Sequence, residues 1–235
     1  MRFRSLSAIL LALMLILASV TVAYGFDWSF LFQPKPDKEK IAAGLKEALE
    51  IGTENTVNQA GRVDGFYKNP EIKITLPDQL LKIEKVLRQL GLGDQVDQFA
   101  LSLNRAAEKA TPAAKDIFWG AIKEMTFDDV LSIFKGSDTA ATEYFQAKTS
   151  ERLKTAFLPV VSHATNDTDV TRIYKKITVE VGKIKFLNYE PIDIDEYIVA
   201  KTLDGLFYLL GEEERKIRQD PAARVTKLLK EVFGS

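Results

Sequence analysis

Val96-Asp97-Gln98-Phe99-Ala100-Leu101-Ser102-Leu103-Asn104-Arg105-Ala106-Ala107-Glu108-Lys109-Ala110 is the stretch that decides the fold. Its apolar residues Val96, Phe99, Ala100, Leu103, Ala107 and Ala110 recur at spacings of 3, 1, 3, 4 and 3. An α-helix turns once every 3.6 residues, so these positions form one apolar stripe, whereas a strand would scatter them over both faces. Stripes of this kind are buried by packing helix on helix, which predicts an all-α fold. Asn104 lies beside the stripe, between Ala100 and Ala107, where a polar amide needs a partner or a cavity.

The same period extends in both directions. Towards the N-terminus, Ile41, Leu45, Ala48, Leu49 and Gly52 share a face, and so do Leu80, Ile83, Leu87 and Leu90, with Gly91 placed to stop that helix. Asn58-Gln59-Ala60-Gly61-Arg62 and Leu90-Gly91-Leu92-Gly93 lack the spacing of a phosphate loop and read as helix ends. Asp64-Gly65-Phe66-Tyr67 sets two aromatics beside a turn that could frame a ligand pocket. Towards the C-terminus, Thr111 is the expected N-cap and Pro112 the first residue of a helix carrying Ile117, Phe118, Ala121, Ile122 and Met125. Thr126 opens a short helix to Phe134, with Asp129 in its first turn and Gly136 just beyond it. Ser137-Asp138 caps a helix with Tyr144 and Phe145. A further one from about Ser150 carries Leu153, Phe157, Val160, Val161 and Ala164, with a kink expected at Pro159. Asp169 caps a helix with Val170, Ile173, Tyr174, Ile177 and Val181. A long helix then runs from Ile194 to Gln219, and Asp220-Pro221 starts a last one from Ala222 to Phe233.

Two segments depart from this period. Residues 71–76 alternate polar and apolar before Pro77, and residues 183–189 are β-rich between Gly182 and Pro191. They suggest a minor two-stranded β element on an otherwise all-α, single multi-helix domain. No repeat of 20–50 residues recurs, so a solenoid is not expected.

The chain begins with Arg2 and Arg4, continues uncharged from Leu6 to Ala23, and reaches small residues at Ala23 and Gly25. That order is the pattern of a secretory signal peptide over residues 1–25, with cleavage expected before Phe26. Retention as a membrane anchor is the alternative, since the apolar run is long enough to span a bilayer. Residues 26–38 form an aromatic segment, with Phe26, Trp28, Phe30 and Phe32 at alternate positions, followed by the stiff linker Pro34-Lys35-Pro36. Its aromatic face suits docking on the domain, or an interfacial belt if the anchor is retained. Residues 39–235 are the helical domain.

Composition narrows the function. Losing Arg2 and Arg4 from 32 basic residues leaves 30 against 33 acidic ones, a net charge of −3 with both signs interspersed. A nucleic-acid partner needs a basic patch, which is missing from this pattern. The chain has no cysteine. That excludes disulfides, thiolate nucleophiles, cysteine-ligated zinc and a lipoprotein anchor, so the fold rests on core packing.

The residues also resemble a known family. Gly44-Leu45-Lys46-Glu47-Ala48-Leu49-Glu50-Ile51-Gly52-Thr53, Asp64-Gly65-Phe66 with Asn69-Pro70, and Leu90-Gly91-Leu92-Gly93 carry the likeness. So do Leu103-Asn104-Arg105-Ala106-Ala107-Glu108, Ala114-Lys115-Asp116-Ile117-Phe118, Ala140-Ala141-Thr142-Glu143-Tyr144-Phe145 and the tail from Lys216 to Arg224. They resemble the exported bacterial helical proteins known as domain of unknown function 4197, over the whole mature chain. The resemblance implies export and a helical fold, and brings no activity or catalytic residue with it.

No residue pattern identifies a reaction. His163 is the only histidine, and its neighbour Ser162 points about 100° away on a helix, so the two cannot form a local catalytic pair. Asn166-Asp167-Thr168-Asp169 and Asp193-Ile194-Asp195-Glu196 fail as calcium loops, because the sixth and twelfth positions hold Arg172 and Thr178, or Ile198 and Asp204. Both clusters suit helix N-termini. Glu212-Glu213-Glu214 can pair Glu212 with Lys216 and Glu214 with Arg218 on a solvated face. No catalytic residue, metal ligand or cofactor is therefore assigned, and the binding residues stay open. The expectation is an exported, periplasmic, non-catalytic binding or interaction protein whose partner is an envelope protein or an apolar ligand such as a lipid. Membrane contact follows only from a retained N-terminal segment. A hydrolase using carboxylate chemistry and a membrane-tethered structural protein are the alternatives.

Overall fold

A computed structural model describes residues 38–167, 170–182 and 192–233. Helix α1 (Lys38–Gly61) is followed by a loop and two short helices, α2 (Asp78–Leu81) and α3 (Glu84–Gln89). Then come α4 (Gly93–Ala110), α5 (Ala114–Glu124), α6 (Phe127–Lys135), α7 (Ala140–Asp167), α8 (Val170–Gly182), α9 (Ile194–Gln219) and α10 (Lys227–Phe233). Among the described residues the architecture is all-helical, and no helix is long and apolar enough to cross a membrane.

The two longest helices, α7 and α9, pack on each other at the centre, with α1 laid against α9 and α4 against α7. The α4 stripe is buried as its spacing requires: Val96, Phe99, Leu103, Ala107 and Ala110 are inside, and Ala100 is half-buried. Aromatic rings fill the centre, with Phe118 edge-on to Phe145 at 5.4 Å between centroids and Phe99 stacked on Tyr174 at 5.5 Å. Three buried threonines donate one turn back, Thr111 to the Ala107 carbonyl, Thr149 to Phe145 and Thr202 to Ile198, whereas the buried Thr56 hydroxyl has no partner among the described residues.

Several local expectations need correction. Leu80 to Leu90 is two short helices, because the backbone leaves helical geometry at Ile83 (φ −111°, ψ 5°). Leu80, Ile83 and Leu87 still point inward, while Leu90 is exposed. Thr111 does not cap α5: its hydroxyl is already committed to Ala107, and a 3₁₀ turn over Thr111–Ala113 bridges α4 and α5. The two helices expected between Ala140 and Ala164 are one, α7, with Pro159 inside it. Asp220 caps a 3₁₀ turn over Pro221–Ala223, and α10 starts only at Lys227.

Thr126 and Asp129 form a reciprocal capping box, and Asp193 caps α9 through the amides of Asp195 and Glu196. The cap at Asp169 and the strand over residues 183–189 fall outside the described residues, as do the signal and the aromatic segment. Residues 71–76 form no strand. They keep the period-two pattern, with Ile72, Ile74 and Leu76 buried and Glu71, Lys73 and Thr75 exposed, but side chains of the helical body pair with them instead.

Candidate functional site

Helix α4 carries a polar edge beside its apolar stripe, and that edge holds the loop between α1 and α2. Asn104 is completely buried. Its Oδ1 accepts from the Ile74 amide at 2.8 Å, and its Nδ2 donates to the Ile74 carbonyl at 2.8 Å and to the Ala100 carbonyl at 2.8 Å. The amide thus offers Ile74 one acceptor and one donor, as a neighbouring strand would. One turn further along, buried Glu108 accepts from the amides of Phe66 and Tyr67 at 3.1 and 3.2 Å. Arg105 bridges Glu108 and Asp64, each at 2.6 Å, and Lys68 also reaches Asp64 at 2.7 Å.

These contacts explain a strained turn. Asp64 has φ 68°, a left-handed conformation that non-glycine residues adopt rarely. Its carboxylate is held by two cations, and the hydrogen bonds from Lys68 and Arg105 keep it below the ordinary carboxylate range. The turn delivers Phe66 into the core against α9 at Gly205, where an added Cβ would lie 2.7 Å from the ring. Tyr67 stays at the surface, with the Lys73 ammonium 4.3 Å from its ring centroid.

Residues 71–76 therefore run along the body with a cleft on each side. The cleft towards α4, about 210 Å³, includes Tyr67, Lys73, Leu76, Leu81, Arg88 and Ala100 in its lining. The cleft towards α9, about 330 Å³, is lined by residues 71–75 with Lys201, Asp204, Gly205 and Tyr208. Tyr197 donates to the Thr75 carbonyl at 3.0 Å, and Tyr208 to Glu71 at 3.2 Å. Burial pushes the Tyr197 hydroxyl above the ordinary phenol range, as does desolvation, with Glu71 nearby, for Tyr208. Both are donors at neutral pH.

Among the described residues, the backbone between the clefts is only partly satisfied. Ile74 spends both its polar groups on Asn104. In an extended chain, neighbouring residues direct their polar groups to opposite edges. The Lys73 carbonyl and the Thr75 amide belong to the other edge, towards α9, and neither has a partner among the described residues.

Other sequence candidates lie elsewhere. His163 is exposed on α7 and lines neither cleft. Glu212 pairs with Arg215, and Glu213 with Lys216 at 2.6 Å, so the expected Glu212–Lys216 pair is replaced by closer partners. Glu214 does pair with Arg218, at 2.9 Å, but it is not on a solvated face. It is buried, and it accepts from the amides of Ala141 and Thr142 at 3.0 and 2.9 Å, capping α7 from α9. A cavity of about 20 Å³ beside it, lined mainly by Leu45, Leu49, Leu210, Ile217 and Phe233, is close to the size of one water. Among the described residues, no three histidine or carboxylate side chains converge in a way that could hold a metal ion.

Of the sequence candidates, the structure brings together Asn104, Phe66 and Tyr67 around one loop. It adds Arg105, Glu108, Tyr197 and Tyr208, whose charged or exposed-looking positions gave no sign of a shared role. No curated protein and no solved structure matches this chain. The family model described as protein of unknown function, DUF4197, matches residues 35–234, from before α1 to the end of α10. The chain belongs to the DUF4197 family.

Proposed function

We propose that this is an exported, non-catalytic interaction protein that receives an extended segment of a partner polypeptide against residues 73–75. The edge of that segment towards α9 supports the reading: a carbonyl at Lys73 and an amide at Thr75, side by side and without a partner among the described residues. An acceptor and a donor so placed bond a single residue of a parallel neighbour, one bond to its N–H and one to its C=O. Recognition by strand addition takes its affinity from such backbone bonds and its specificity from flanking pockets. The α9 cleft, with Gly205 as floor and the Tyr208 hydroxyl at its rim, is the pocket beside this edge. Export rests on the order of charge, apolar run and small residues in residues 1–25.

A photo-crosslinking amino acid at Lys73, introduced in the native host, tests the interaction. A defined partner should be captured, and Thr75→Pro should abolish capture by removing one amide while leaving the Asn104 bonds intact. Equal capture by Thr75→Pro, or a partner also captured from a probe at distant Val225, sinks the reading. Intact mass of protein from the same cells tests export: the mature chain should begin near Phe26, and a mass that retains residues 1–25 overturns cleavage.

A further inference from the structure

Helix α10 is seven residues long. A helix of this length is marginal in water by itself, so its structure depends on what it docks against. Leu229 and Val232 are buried under it, and Phe233 tilts onto Phe134 with ring centroids 5.8 Å apart. Leu229 belongs to a small apolar cluster with Ala48 and Ile217 that is separate from the main core. Val232 sits directly on Gly44, where any Cβ would come within 2.6 Å of its Cγ2. The small cavity described above lies beside Phe233, so the docked helix does not fill the groove beneath it completely.

The chain leading into α10 is fixed at one point. Arg224 is buried, and its guanidinium donates to the carbonyls of Ile217 and Arg218 at 3.0 and 2.7 Å, closing the C-terminal end of α9. Beyond this anchor Val225 is exposed. Among the described residues the arm's polar ties to the body are a part-buried bond from Thr226 to Glu47 at 3.1 Å, and Lys40 to Glu231 at 3.8 Å between half-exposed side chains. Surface pairs of the second kind contribute little. Lifting the arm at Val225 therefore breaks the satellite cluster and uncovers Leu45 and Leu49 at the margin of the main core, while the Arg224 anchor stays in place.

We propose that α10 is a strap that opens about Val225 and closes over an apolar groove of α1 and α9, floored by Gly44, Leu45, Ala48, Leu49 and Ile217. In the closed state the strap itself occupies the groove. This does not depend on the edge at residues 73–75, which lies on a different part of the body.

Native-state hydrogen exchange on the full chain tests the strap. Amides of residues 230–233 should exchange at least about a hundredfold faster than those of residues 206–210 in α9, with a rate almost independent of low denaturant, the mark of a local opening. Exchange of both sets at one common, denaturant-dependent rate overturns the proposal, because α10 then opens only with the whole molecule. Leu229→Asp supplies the second measurement. It should shift the strap open, raising the fluorescence of an apolar dye such as anilinonaphthalene sulfonate while the main thermal transition and most of the helical signal persist. Loss of the whole fold in that variant, or a folded protein with no added dye binding, counts against it.

Discussion

Asn104 shows how one side chain can fix a backbone segment. A buried amide with three hydrogen bonds is satisfied; its truncation leaves the Ile74 amide and carbonyl without partners in a buried site. Each such group costs about 1–3 kcal/mol, so Asn104→Ala should lower unfolding free energy by more than a surface substitution does, as denaturant titration will show. His163→Ala provides the contrast. The residue is exposed on α7 and lines neither cleft, so unfolding free energy should change by less than about 0.5 kcal/mol. The need for a partner at Asn104 was legible in sequence, since its neighbours Ala100 and Ala107 mark the helix face. The identity of that partner was not, because it sits thirty positions away in a loop. Glu108 and Glu214 were hidden for a different reason. A carboxylate within a charged run looks solvated, and only the tertiary fold brings the backbone amides that let it be buried.

At the scale of elements, apolar period identified each described helical region, and the boundary at Thr111 failed because a competing hydrogen bond intervened. Thr111 had the composition of a cap but donates to Ala107, so α4 passes through a 3₁₀ turn instead of stopping cleanly. Thr126 had no such competitor and caps α6 as expected. Its side chain accepts from the Asp129 amide at 3.2 Å, and Asp129 accepts in return from the Thr126 amide at 2.9 Å. Thr126→Ala should cost about 0.5–2 kcal/mol, measured by thermal or chemical unfolding, and Thr126→Ser should recover most of it. Residues 71–76 show the converse case. Their alternation correctly separated inside from outside, yet alternation cannot say whether the neighbour is a strand or the amide of a helix residue.

For the molecule as a whole, acid should be destabilising. Asp64, Asp97 and Asp129 all lie below the ordinary carboxylate range in the folded state. The causes are Lys68 and Arg105 for Asp64, Arg88 for Asp97, and the hydroxyl and amide of Thr126 for Asp129. A carboxyl group whose folded value is depressed stabilises fully above its unfolded value, near 4, and that contribution is lost as pH falls through the folded value. Stability should therefore be flat from neutral pH to about 5 and decline below about 4. The Asp64→Asn, Asp97→Asn, Asp129→Asn triple variant should be less stable at neutral pH and show a shallower acid decline in pH-dependent thermal unfolding. An equally steep decline in the triple variant would assign the acid sensitivity to other groups.

The cap that Glu214 places on α7 also has a consequence in time. The amides of Ala141 and Thr142 wait for a carboxylate 73 and 72 residues further along the chain. At roughly 5–20 residues per second, a ribosome delivers that carboxylate about 4–15 seconds after the helix start has been made. Throughout that interval the amides of Ala141 and Thr142 lack the acceptor that closes the start of α7 in the finished fold. The finished protein closes this end only when its C-terminal third arrives, so a nascent chain interrupted before Glu214 lacks that acceptor however well its earlier helices have packed.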